Sequence, residues 1–179
     1  NSIGAFQKYR PSYSETQREY IVRYYRDYAN YLKERGIFDD ATVYLYDEPE
    51  EEIFDFIKDA RELIRRADPD LPCMVVGHIW PELVGVVDVW CPHLVDFEKE
   101  ENVALMRERQ AAGEKVWTYN TVDEVPYAGW SVEPKCDLLS TRLMFWIVRQ
   151  YGFDGFLHWT SDRAMHPIAR LGKASEVYL

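Results

Sequence analysis

Two adjacent carboxylates, Asp47 and Glu48, close the run Tyr44-Leu45-Tyr46-Asp47-Glu48-Pro49. The residues before them are apolar and aromatic, as a strand requires, and Pro49 stops the run. Ile53, Phe54, Ile57, Ala60, Ile64 and Ala67 follow at helical spacing, so the acids fall where a strand hands over to a helix. In parallel α/β folds that junction is where substrates bind. Two acids there can divide the cleavage of a glycosidic bond, one donating a proton and the other managing positive charge. The same residues read equally well as caps of the helix that begins after Pro49. Geometry adds a condition. Successive strand residues point to opposite faces, so both acids reach one pocket only if the backbone bends or bulges at Asp47.

The elements that must position this pair alternate along the chain. A helix starts near Ser14 and stops at Gly36, and Thr42 to Tyr46 is a strand. Glu50 to Arg66 is a helix with an acidic first turn and a basic last turn, matching its macrodipole. Cys73 to Gly77 is a second strand, nearly all apolar, as expected when both faces are covered. Trp80 to Val84 is a helical turn, Val86 to Cys91 a third strand, and Lys99 to Ala112 a helix closed by Gly113. Lys115 to Asn120 is a fourth strand, Thr121 to Pro134 a loop, and Leu138 to Tyr151 an apolar helix. Gly155 to Thr160 is a fifth strand.

Such alternation implies a parallel sheet with right-handed crossovers. No Gly-rich phosphate fingerprint follows any strand, which disfavours a dinucleotide fold. The expected fold is α/β, of the (β/α)8 TIM-barrel type, in a single partial domain over residues 1–179. A complete barrel of this kind usually needs about 200 residues or more. The chain is therefore expected to carry about strands four to eight, with the missing strands supplied by the rest of a longer protein.

In a barrel every strand's C-terminal end faces one site. Those ends carry Asp47 and Glu48, then His78, then Pro92 and His93, then Trp117, Tyr119 and Asn120, then His158, Trp159 and Thr160. Carboxylates, imidazoles and large aromatics gathered on one rim are the makings of a sugar-binding pocket. Trp117 and Trp159 are candidate walls, and His93, His158 and His78 could reach hydroxyls or serve as structural histidines. Arg142 lies in a helix that reads as largely buried, from where it could brace a carboxylate. Trp90 and Trp146 are expected to pack between strand and helix, and Tyr20, Tyr24, Tyr28 and Tyr31 to serve as core or helix-face residues.

Composition excludes several other classes. Apolar residues make up 47% of the 179, which argues for a packed domain. The net charge of −10 disfavours non-specific nucleic-acid binding and anionic membranes. No run approaches the roughly 18 apolar residues of a membrane span. Cys73, Cys91 and Cys136 match no zinc or redox spacing, so buried thiols, no metal and no cofactor are expected. The chain opens on Asn1 without a signal-peptide pattern, as a processed product or a piece of something longer would. Its compartment is not read from the sequence, and a secreted or periplasmic parent is compatible with it.

Four segments, in order, resemble glycoside hydrolase family 123 and the related DUF4091 domains. Tyr44 to Pro49 is similar to the family's strand-end motif, and Val87-Asp88-Val89-Trp90-Cys91-Pro92 to its Asp-x-Trp-x-Pro strand. Val116-Trp117-Thr118-Tyr119 is similar to its Trp-x-Tyr strand. Asp137 through Arg142 to Trp146, with Tyr151 to Trp159, resembles its closing helix and strand. The resemblance implies a retaining β-N-acetylgalactosaminidase-like enzyme that works by substrate assistance. The sugar's own 2-acetamido oxygen attacks the anomeric carbon and forms an oxazolinium, so no enzyme carboxylate becomes a nucleophile.

Carried over, Asp47 orients the acetamido N–H and stabilises its growing charge. Glu48 protonates the leaving oxygen and then activates water, and Tyr119 hydrogen-bonds the acetamido oxygen. Departures from the family pattern fall at Asn120, where a cysteine is common, and at Thr160-Ser161-Asp162, where an Asn and a Trp are usual. They bear on the sugar accepted. The alternatives are a glycosidase on another sugar using Glu48 alone as acid, and a carbohydrate-binding barrel domain without turnover.

Overall fold

The computed structural model describes residues 13–119 and 138–158. Its elements run α1 (Glu15–Glu34), β1 (Val43–Asp47), α2 (Phe54–Ala67), β2 (Cys73–Val76), β3 (Val89–Cys91), α3 (Glu100–Ala111), β4 (Lys115–Tyr119), α4 (Leu138–Tyr151) and β5 (Gly155–Leu157), with short 3-10 turns between them. All strand pairs are parallel, and the strands lie side by side in the order in which they occur in the chain. A doubly wound sheet reverses its strand order at a switch point. This sheet does not reverse, and it is the five-stranded part of a (β/α) barrel, as the alternation predicts.

The two faces of the sheet bury different residues. Val43, Leu45, Cys73, Val75, Trp90 and Val116 point to the helices, where Ala29, Ile57, Ile64 and Met106 meet them. Met74, Val76, Val89, Cys91 and Tyr119 form a separate cluster on the inward face, joined by Tyr44, Trp117 and Leu157. Odd and even positions of β2, β3 and β4 thus divide between outside and inside. Cys73 and Cys91 are buried free thiols, and burial pushes the Cys73 thiol up to about 12. Cys136 lies outside the described residues.

Helix α1 begins as its sequence predicts. The Ser14 hydroxyl accepts the Gln17 N–H, and the Gln17 side chain accepts the Ser14 N–H, a reciprocal capping box. Its buried stripe, however, is Val22, Tyr25, Ala29 and Leu32, whereas Tyr20 is 61% exposed and Tyr24 and Tyr31 are also exposed. Only Tyr28 of the expected tyrosines is packed against the core. Helix α1 packs against α2, and Ala29 on its buried stripe is fully covered.

Strand β3 is shorter than expected. The amides of Val86 and Val87 both donate to the Leu83 carbonyl, so these two residues close a turn before pairing begins. Among its described side chains, helix α4 exposes Arg142, Leu143 and Phe145, Trp146 is 74% exposed, and Met144 and Ile147 are buried. Over these residues the expectation of a largely buried helix, with Arg142 bracing a carboxylate and Trp146 packed on a strand, is not met. Trp90, by contrast, is fully buried between sheet and helices.

Candidate active site

Asp47 reaches the inward face because β1 slips by one residue. Tyr44 pairs with Met74, but Tyr46 pairs with Val75 and Asp47 with Val76, so Leu45 is an extra residue in the ladder. Leu45 and Tyr46 both turn to the helices as a result. A regular strand would have sent Asp47 outward with Val43 and Leu45. The bulge reverses its phase and aligns it with inward Val76.

Glu48 is redirected by a second device. Its φ is +46°, and among the described residues no other non-glycine has a positive φ. Its amide still donates to the Val76 carbonyl at 2.7 Å, so the chain turns without leaving the sheet. A left-handed glutamate costs about 1–3 kcal/mol and persists only where its surroundings impose it. Gly77 is part of those surroundings: a Cβ there would stand 3.2 Å from the Glu48 Cα and 3.4 Å from the Pro49 Cδ, and its φ is +120°. Gly77→Ala is therefore expected to destabilise by about 1–3 kcal/mol and to displace Glu48. A lowered thermal midpoint together with lost turnover would register both effects.

Each acid meets a tyrosine of the inward cluster. The Tyr44 hydroxyl donates to Asp47 Oδ1 at 2.7 Å, and the Tyr119 hydroxyl donates to Glu48 Oε1 at 2.6 Å. Burial, reinforced by the hydrogen bond to the neighbouring acid, pushes both phenols well above their ordinary range, so both remain donors. Neither acid caps a helix. The 3-10 turn over Glu51–Ile53 has Glu50 at its N-cap, α2 has Ile53, and neither N-cap makes a side-chain bond. The capping alternative is thereby removed.

His93 completes the group. Its ring lies 4.2 Å from that of Tyr119, and its Nε2 is 4.0 Å from Glu48 Oε1. A bridge between His93 and Tyr119 extends the β3–β4 pairing past Pro92, whose carbonyl accepts the Tyr119 amide and the Thr118 hydroxyl. Burial pushes the His93 imidazole below its ordinary 6.5, against the opposing pull of Asp96 and Glu48. The unfolded chain protonates near 6.5 while the folded imidazole resists, so stability is fully present above that value and is lost as pH falls below it. His93→Gln is expected to flatten that part of the pH dependence of denaturant midpoints.

The other expected site residues divide. His78 is exposed and binds Asp96 through Nδ1 at 2.9 Å. Trp117 is not brought to the acids: it borders a cleft with Asp39, Asp40, Lys115 and Asp154 at the N-terminal ends of the strands. Its ring lies directly over Gly155, where a Cβ would meet it at 2.5 Å. His158 is exposed just past β5, and Arg142 is exposed on α4. Asn120 and Trp159 lie outside the described residues.

Two aspartates of the family-like segments serve the opposite end of the sheet. Asp88 accepts the Cys73 amide and pairs with buried Arg61 at 2.8 Å, and Asp154 accepts the Val116 amide. Tyr44 was legible within the strand-end motif, but its contact with Asp47 depends on the bulge, which a regular alternation hides.

Parallel strands without order reversal, and an acid pair at their C-terminal ends, define a TIM-type barrel portion with a candidate active-site rim. The glycoside hydrolase 123 catalytic domain model matches residues 4–165, and the chain belongs to this family. It is similar to a solved family 123 glycoside hydrolase from Clostridium perfringens, described for its hydrolysis of glycolipid glycans, with a TM-score of 0.64 and 16% identity. The likeness covers 84% of this chain and 26% of that one, so the chain spans about a quarter of that protein's length. No curated protein matches the chain.

Proposed function

We propose that this chain carries the acid pair of a retaining glycoside hydrolase that acts on β-linked 2-acetamido hexosides through an oxazolinium. The observation that carries the reading is the double device at the end of β1, a bulge at Leu45 followed by a left-handed Glu48. Both acids consequently bond to tyrosines of one face. A strand that only needed to end in a cap has no use for that arrangement.

In this reading Glu48 gives its proton to the glycosidic oxygen as the bond to the anomeric carbon breaks. The acetamido oxygen attacks that carbon from the opposite face, and Asp47 accepts the acetamido N–H as positive charge grows on it. The deprotonated Glu48 then takes a proton from water, which opens the oxazolinium with net retention. Glu48 is 62% exposed, within reach of a substrate. The Tyr119 hydroxyl, bound to Glu48 in the resting site, turns to the acetamido oxygen when the sugar enters. That exchange frees Glu48 to carry the proton and holds the nucleophile in line.

The substrate class that fits best is a glycan ending in β-linked N-acetylgalactosamine, in keeping with the solved family member's action on glycolipid glycans. The remaining barrel strands come, in this reading, from the protein beyond this chain. The test compares aryl β-glycosides bearing a 2-acetamido or a 2-hydroxy group. Turnover of the 2-acetamido compound supports the reading. Turnover of the 2-hydroxy compound alone leaves Glu48 as the acid of a different glycosidase, and turnover of neither points to a binding domain.

A further inference from the structure

The mechanism above leaves one close contact without a task. Tyr44 and Asp47 are three residues apart in one strand, a spacing that normally places side chains on opposite faces. The extra residue at Leu45 makes them cofacial, and the Tyr44 hydroxyl donates to Asp47 Oδ1 at 2.7 Å. The Tyr44 ring is partly buried against the inward cluster of Met74, Val76 and Cys91, which fixes the origin of that hydroxyl. Asp47 itself is exposed, so its orientation comes from its bonds and not from packing.

We propose that Tyr44 is a positioning residue: by holding Oδ1, it aims Asp47 Oδ2 at the acetamido N–H of the sugar. This rests on the substrate-assisted reading. The phenol stays protonated because burial and the Asp47 bond both oppose its ionisation, so its one proton is committed to Oδ1 and the second carboxylate oxygen is left to accept from substrate. Tyr119 stands in the same relation to Glu48, but with a duty toward substrate. Tyr44 acts through Asp47 alone.

The experiment uses the full-length protein that carries this chain. It compares Tyr44→Phe, Asp47→Asn and the double variant, reading kcat and KM on a 2-acetamido aryl β-glycoside. It also reads Kd for a 2-methylthiazoline sugar, which mimics the oxazolinium, and for the free 2-acetamido sugar. Phenylalanine keeps the ring's packing, so folding is expected to survive. A misplaced catalytic group costs up to about 100-fold in rate. Tyr44→Phe is expected to lower kcat about 10- to 100-fold with little change in KM, and to weaken the thiazoline but not the free sugar.

In the Asp47→Asn background, Tyr44→Phe is expected to add less than about threefold, because both act in one interaction. Unchanged kcat and thiazoline affinity in Tyr44→Phe overturn the proposal, as does a full additive loss in the double variant. Wild-type protein that turns over no 2-acetamido glycoside and shows no preference for the thiazoline overturns the substrate-assisted reading itself, and this proposal with it.

Discussion

Glu48→Gln is expected to lower kcat/KM by about 10²- to 10⁴-fold, the range a positioned general acid–base contributes, while Kd for the free sugar stays within a few-fold. Glutamine has the same shape and keeps an oxygen for the Tyr119 hydroxyl, so the contact at 2.6 Å survives the change. The left-handed backbone is also unaffected, because its φ of +46° is imposed by the Val76 bond and the neighbouring Gly77. What the substitution removes is the proton. Kinetics and isothermal titration on one preparation separate the two quantities. Retained turnover would remove Glu48 from the chemistry, and lost sugar binding would make it a ligand contact instead.

Trp90→Ala is expected to produce the largest loss of stability. The side chain is fully buried on the helix side of β3, and its indole N–H donates to Glu114, which Arg109 also holds. Removing a buried tryptophan costs about 3–5 kcal/mol in transfer and cavity terms. For a domain of this size that corresponds to a thermal midpoint lower by roughly 6–20 °C. Differential scanning calorimetry reads it directly. A change of only a degree or two would mean that the sheet and helices are held together elsewhere.

The barrel topology was legible because it rests on local pattern. Strand and helix alternate, apolar runs such as Cys73–Val76 are buried on both sides, and glycines close the helices. The position of the bulge was not legible. Val43-Tyr44-Leu45-Tyr46-Asp47 reads as an ordinary alternating strand, and its slip appears only in the pairing with β2. Register belongs to the partner strand as much as to the sequence that bears it. The bend expected at Asp47 therefore falls on both sides of it, at Leu45 and at Glu48.

The tyrosines of α1 lie in the helix as expected, but which of its faces is buried was not legible. Tyr20, Tyr24, Tyr28 and Tyr31 repeat at helical spacing, but so do Val22, Tyr25, Ala29 and Leu32. Periodicity alone does not choose between two such stripes. Tertiary packing does, and in the structure the buried face is the one with Ala29. Trp117 is a third case. As a strand-end aromatic it reads as a subsite wall, yet its indole lies over Gly155 among residues at the far end of the sheet. Trp117 is mid-strand and pairs with Gly155, the first residue of β5, so it stands short of the C-terminal rim.

In the proposed mechanism the sugar's own acetamido oxygen is the nucleophile, with Asp47 and Glu48 attending it. A series of aryl β-glycosides with progressively fluorinated N-acetyl groups tests this most directly, because each fluorine makes the carbonyl oxygen a poorer nucleophile. For substrate assistance kcat/KM is expected to fall steeply and monotonically along the series. A kcat/KM that does not change with fluorination would contradict it.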